Sequence, residues 1–181
     1  GRDALDLGLA DRFLRDDQQD ELLDGLLQLN WQEQSAMQLN SLLKALGQEA
    51  VSDQPEAQWL PRRAQIDEWL DVGDVRCAWR ALSLLREHSD PLLNRAGKTL
   101  SEGCPLTAHL VWEQLQRARH LSLAQVFEME YTLSLNCCRH PEFAEGVRAR
   151  LIDKDQTPHW HWPDINTLPE AVVQAHFDKA W

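Results

Sequence analysis

Residues 142–160, EFAEGVRARLIDKDQTPHW, set the terms for the rest of the chain. Pro141 can open a helix but not continue one. Glu142 then places a carboxylate in the first turn, where the helix dipole favours it. Phe143, Val147 and Leu151 recur every fourth residue, with Gly146 on the same face. That spacing predicts a helix burying one stripe against other helices. Asp153-Lys154-Asp155 makes a charged turn, and Pro158 ends the run.

Capping and stop signals divide the remainder into short helices. Residues 2–8 read as a helix with Gly8 as its stop. Residues 9–14 alternate loosely and are the one candidate strand. Asp16, Asp17, Asp20, Glu21 and Asp24 lead a helix whose apolar side is Leu22, Leu23, Leu26, Leu27 and Leu29. A third helix is expected over 32–46, stopped by Gly47. Residues 47–61 hold two Pro and no periodicity, which predicts a loop open to motion and nicking. Helices follow at 62–70 and 74–88, the second with Val75, Trp79, Leu82 and Leu85 inward. Asp90-Pro91 and Cys104-Pro105 open helices at 91–102 and 105–119. Ser122-x-x-Gln125 is a capping box for 122–138, with Val126, Met129, Leu133 and Cys137 as its core face. Thr167-x-x-Glu170 predicts a second box, for a last helix ending near Trp181. The expected fold is all-α, a single helical domain over 1–181 with at most one short strand near 9–14.

Composition narrows the partners. Hydrophobic residues at 43% and eight Trp mark a folded chain. A net charge of −11 argues against binding a nucleic-acid backbone, which needs a basic face. No apolar run approaches membrane-spanning length and no signal peptide is visible, so a cytoplasmic location is the default expectation. Cys77, Cys104, Cys137 and Cys138 have the spacing of neither a disulfide framework nor a zinc site, and read as reduced thiols.

The motifs also carry a resemblance. EGVRA followed by LIDKDQ-x-P-x-W, at 145–160, is similar to the C-terminal signature of the 3-hydroxyisobutyryl-CoA hydrolase branch of the enoyl-CoA hydratase/isomerase (crotonase) superfamily. LSLAQVFEMEYTLS at 121–134 resembles a helix of that branch. GRDALDLGLADRFL at 1–14 resembles the segment that follows the family's catalytic region. The resemblance implies the C-terminal helical portion of a crotonase-type α/β parent, with residues 9–14 along the edge of that parent's sheet. It places the catalytic residues upstream of Gly1. A start without Met, inside a recognisable motif, reads in the same direction, as a fragment. The implied substrate is an acyl-CoA, with CoA as part of the substrate and no separate cofactor. The implied partner is the N-terminal crotonase core of the same protein. Arg150 stands where the family usually has an aliphatic residue.

Candidate chemistry within the chain is sparse. His159 and His161 could share a surface ion, but no third ligand has suitable spacing, so no metal site is assigned. Glu128 and Glu130 sit about 200° apart on a helix and cannot act on one atom. Glu130, beside an apolar face, is expected to pair with Arg148. Trp160, fixed by Pro158, is expected to anchor in the core. Arg148, Arg150 and Lys154 form the densest basic group near the motif. Arg148 and Lys154 are the candidate CoA contacts, against an internal ion-pair network with Asp153 and Asp155. No nucleophile–base pair and no Gly-rich phosphate loop is present, so no catalytic residue is assigned.

Two classes of function follow. One is the helical part of an acyl-CoA enzyme, a 3-hydroxyisobutyryl-CoA hydrolase of valine breakdown or, alternatively, an enoyl-CoA hydratase or isomerase. In either case the 181 residues alone are expected to be inactive. The other is a non-enzymatic helical interaction module. Leu9, Phe13 and the leucines of 22–29 are expected to leave an apolar face that self-associates or meets the missing core.

Overall fold

The computed structural model describes residues 1–179. Those residues contain no strand, and 9–14 run as irregular chain. A single domain was the sequence expectation. Contacts group the chain into two compact units, Gly1–Glu68 and Trp69–Trp181.

The first unit begins with α1, Arg2–Asp6, and turns at Gly8, whose φ of +69° suits a residue without Cβ. Asp3 accepts the N–H groups of Gln58, Trp59 and Leu60 at 2.7, 3.0 and 3.0 Å. Those bonds hold the 3₁₀ turn Leu60–Arg62 and pull the Asp3 carboxyl below its ordinary value. α2, Gln19–Gln28, packs on α3, Ser35–Glu49, where Gly25 lets Leu42 approach. Beneath them Gln18 is buried, and its amide donates to the Leu46 carbonyl at 3.1 Å. Leu46 and Ala50 complete this small core. Gly47 does not stop α3, which runs on to Glu49, so the expected loop at 47–61 begins inside a helix. Nothing at Gly47 demands a left-handed turn, and the chain leaves the helix instead through a 3₁₀ turn at Val51–Asp53. α4, Arg63–Leu70, carries the division between the units.

The second unit is held by α5 (Val75–Ser83), α6 (Pro91–Glu102), α7 (Pro105–Ala118), α8 (Leu123–Arg139), α9 (Pro141–Val147) and α10 (Glu170–Ala175). The local signals act as read: Asp90 accepts the N–H groups of Leu92 and Leu93, and Ser122 and Gln125 cap each other reciprocally. Gly97 on α6 seats the turn after α5, for a Cβ there would lie 2.3 Å from the Arg86 nitrogen. Leu106, Leu110, Leu133, Leu168 and Val173 form the core, with Trp162, Val172 and Phe177 against it. The second capping box does not form. Thr167 donates its hydroxyl to the Asp164 carbonyl, and α10 starts after Pro169 and ends at Ala175, short of the predicted end near Trp181. Trp181 itself lies outside the described residues.

The Phe143–Leu151 stripe also departs from its prediction. α9 continues into a π-turn, Arg148–Ile152, closed by the Asp153 N–H on the Arg148 carbonyl five residues back at 2.8 Å. The wider turn breaks the four-residue register. Phe143 and Leu151 are 51% and 67% exposed, while Ala149 is buried.

Candidate functional site

The site is built on the motif that dominated the sequence. Glu142 and Glu145, one turn apart on α9, face the strap that follows the π-turn. Glu145 accepts the His159 N–H at 2.6 Å. Glu142, itself buried, accepts those of His161 and Trp162 at 3.0 and 3.3 Å. Arg148 closes the staple. Its guanidinium meets Glu145 in a two-pronged pair at 2.8 and 2.9 Å, Asp153 at 2.7 Å, Asp155 at 2.6 Å and the Thr157 carbonyl at 3.1 Å. The arrangement raises Arg148 above its ordinary pKa and pulls Glu145 down to about 2, through Arg148 first and the His159 N–H second. Asp155 is lowered by the same guanidinium. Lys154 and Gln156 take left-handed backbone, φ 56° and 57°, to turn the strap so tightly.

Trp160 brings the edge of its six-membered ring against Gly146, where a Cβ would come within 3.4 Å of the indole, and donates Nε1–H to the Glu102 carbonyl at 3.4 Å. It is half-buried. Glu130 does not meet Arg148. It is exposed and accepts from Gln114 Nε2 at 3.0 Å, because Arg148 is already committed to three nearer carboxylates. The same commitment leaves Arg148 with nothing to offer a ligand. Lys154 is exposed, with no ion pair among the described residues.

Under the staple lies a cavity of about 420 Å³. Leu106, Leu110, Val147 and Trp160 are among its apolar lining, and Glu142, His176 and Arg150 also line it. Cys104 and Cys137 also line it, and burial pushes both thiols up, so neither is an activated nucleophile. No group of three or more His, Cys, Asp or Glu among the described residues could hold a metal ion. No helix among them is long and apolar enough to cross a membrane. Glu142, Glu145 and His176 were missed from sequence. The carboxylates' spacing of three on a helix was visible, but their partners, 14 to 20 residues on, were not.

Comparison with known proteins decides the family. The model of the enoyl-CoA hydratase/isomerase family matches residues 1–177. The chain belongs to the enoyl-CoA hydratase/isomerase family. Within that family it is similar to the mitochondrial 3-hydroxyisobutyryl-CoA hydrolase of Danio rerio, at 30% identity over 99% of this chain and 46% of that protein. The Homo sapiens protein of the same name is 28% identical over 98% and 45%. The chain thus spans about half the length of the curated relatives it matches. Among solved structures it resembles a carnitinyl-CoA dehydratase from Mycobacterium thermoresistibile, with a TM-score of 0.77, 26% identity, and coverage of 99% of this chain and 48% of that one. An enoyl-CoA hydratase from Rhodobacter sphaeroides 2.4.1, 22% identical with a TM-score of 0.71, shares the fold. The family match corrects one expectation. The cytoplasmic default, drawn from the lack of a visible signal, is overturned by relatives named as mitochondrial.

Proposed function

We propose that this chain is the C-terminal helical portion of an acyl-CoA thioester hydrolase acting on 3-hydroxyisobutyryl-CoA, with its catalytic residues on the N-terminal core. The observation that carries the reading is similarity along the whole chain to proteins named for that activity. Chemistry within the chain agrees. Thioester hydrolysis needs donors aimed at the developing oxyanion and a base for the attacking water. The cavity supplies acceptors and one guanidinium, and its thiols are held protonated. The role left to these residues is to cover the core and shape a wall of the acyl-CoA cleft, with Lys154 an exposed cation for CoA phosphates and Arg148 structural.

α7 and α8 support a covering role. Val111 and Leu115 on one, Leu123, Phe127 and Tyr131 on the other, are between 49% and 73% exposed. These are apolar faces of the kind that a partner covers, and the core of the same enzyme is the partner we assign. The likeness to a dehydratase structure favours hydratase or isomerase chemistry as the second reading.

The test assays 3-hydroxyisobutyryl-CoA and enoyl-CoA substrates with the 181-residue chain, then after adding the N-terminal part. Hydrolysis on recombination only is the expected result. Turnover by the chain alone would overturn the placement of the active site. Hydration without hydrolysis would select the second reading, and silence in both mixtures would favour a non-enzymatic module.

A further inference from the structure

The first unit holds a second cavity, of about 310 Å³, that shares no residue with the one under the staple. It is lined from the irregular run 11–13, from α3 and from the 3₁₀ turn that follows α3. Two of the lining residues are cations. Arg12 donates Nη1–H to the Asp11 carbonyl at 3.0 Å and Nη2–H to the Asn40 side-chain oxygen at 3.1 Å. Those bonds fix the guanidinium plane and leave its remaining N–H groups uncommitted. Asn40 and Lys44 lie one turn apart on α3, where Cβ atoms are separated by about 5–6 Å. The Lys44 side chain therefore starts within a turn of the anchored guanidinium. Neither cation is in an ion pair among the described residues, whereas Arg2, Arg15 and Arg63 of the same unit each meet an aspartate. Acids outnumber bases in this unit, so neighbouring cations without a carboxylate stand out. Like charges this close repel, and a bound anion turns that repulsion into attraction.

The rest of the lining says what kind of anion fits. Leu5 and Phe13, both half-buried, and Val51, 60% exposed, are apolar. Among the described residues Asp11 is the one acid of the lining, which leaves a single net positive charge. That charge matches a monoanion better than a phosphate dianion. The planar fork of Arg12 suits a carboxylate. The volume holds about ten non-hydrogen atoms at the ~30 Å³ of a water-sized group.

We propose that this cavity is a binding site for a medium-chain aliphatic carboxylate, its carboxylate on Arg12 and Lys44 and its hydrocarbon tail on Leu5, Phe13 and Val51. The site is independent of the acyl-CoA reading above: its residues are different, and its ligand is a free acid rather than a thioester.

The probe is octanoate, which matches that size. Calorimetric titration of the 181-residue chain with octanoate, octanamide and inorganic phosphate tests the site, and circular dichroism checks the fold of each variant. Octanoate should bind saturably at one per chain. Octanamide, of the same shape without the charge, should bind about tenfold more weakly. Lys44→Gln and Arg12→Gln should each weaken octanoate by about fivefold and change octanamide by less than about twofold. Val51→Glu should weaken both, because it sets a carboxylate against the tail. All three side chains are exposed, so the variants should keep the fold. No saturable heat from octanoate overturns the proposal. Octanamide binding as tightly as octanoate does the same, and so does phosphate binding more tightly than octanoate, which would mark a bare anion patch. Octanoate held equally well after Lys44→Gln and after Arg12→Gln lies on an apolar face elsewhere, and that too overturns the site. Should Arg12→Gln lose its fold with the Asn40 bond, the Lys44→Gln comparison decides alone.

Discussion

Arg148 shows why residue type matters more than charge in the motif. Its planar fork serves two oxygens of Glu145, one each of Asp153 and Asp155, and a carbonyl at once. An ammonium cannot reproduce that geometry. Arg148→Lys should therefore lower the melting temperature almost as far as Arg148→Ala, whereas Lys154→Ala should leave it unchanged; thermal denaturation followed at 222 nm decides. The acid limb follows from the same residues. Glu145 falls from an ordinary 4.5 to about 2 in the folded chain. A depressed carboxyl contributes stability that is complete above about 4.5 and is lost as pH falls from there through about 2. His140, held low first by burial and then by His176, is likewise better neutral in the fold, so its share fades as pH falls below its ordinary 6.5. A melting-temperature series against pH should slope downward over both ranges, and Glu145→Gln should flatten the lower one. Of these residues the sequence exposed Arg148 and its flanking aspartates, because they lie within seven positions. It could not expose Glu142, whose partners His161 and Trp162 are 19 and 20 residues away, nor His176, which meets His140 only through the fold.

At the scale of elements, what could be read was what is local. Asp90, Ser122 and Gly8 act within four residues of themselves, and the boundaries they imply stand. Gly47 and Thr167 carry the same residue-type signals and fail: Gly47 has no left-handed backbone and stays within α3, and the Thr167 hydroxyl goes to the Asp164 carbonyl while Pro169 takes the N-cap position. The π-turn at Arg148–Ile152 was hidden because periodicity assumes a constant number of residues per turn. Gly97 is the strictest joint between elements. It lets α6 approach the turn after α5 with no side chain between them, and what a Cβ would meet is backbone, which cannot move aside. Gly97→Ala should cost at least about 1–3 kcal/mol despite alanine's better helix propensity. Urea denaturation of the variant checks it, and a gain in stability would show that the joint has slack.

For the molecule as a whole, helical class was legible from composition and spacing, and the family from the motif; the apolar faces were placed only in part. Leu9 and Leu27 are exposed as expected, at 78% and 80%, but Phe13 is half-buried. The faces of α7 and α8 were unforeseen, because Leu115 and Phe127 sit at spacings that also suit a core. Left uncovered, such surface should drive self-association of the isolated chain. Sedimentation velocity should show oligomers that Leu115→Ser with Phe127→Ser reduces to monomer, at a stability cost within about 0.5 kcal/mol.

The staple has a kinetic consequence as well. Its ties span 3 to 20 residues, from Arg148–Glu145 to Glu142–Trp162. Rings that small close at little entropic expense, so they can form before any distant helix arrives. Residues 142–162 should behave as an early-folding nucleus, with Glu145→Ala slowing refolding by nearly the whole of its equilibrium effect and leaving unfolding almost untouched. Stopped-flow chevrons would show it, and a mutation felt only in the unfolding limb would mean that the strap docks last.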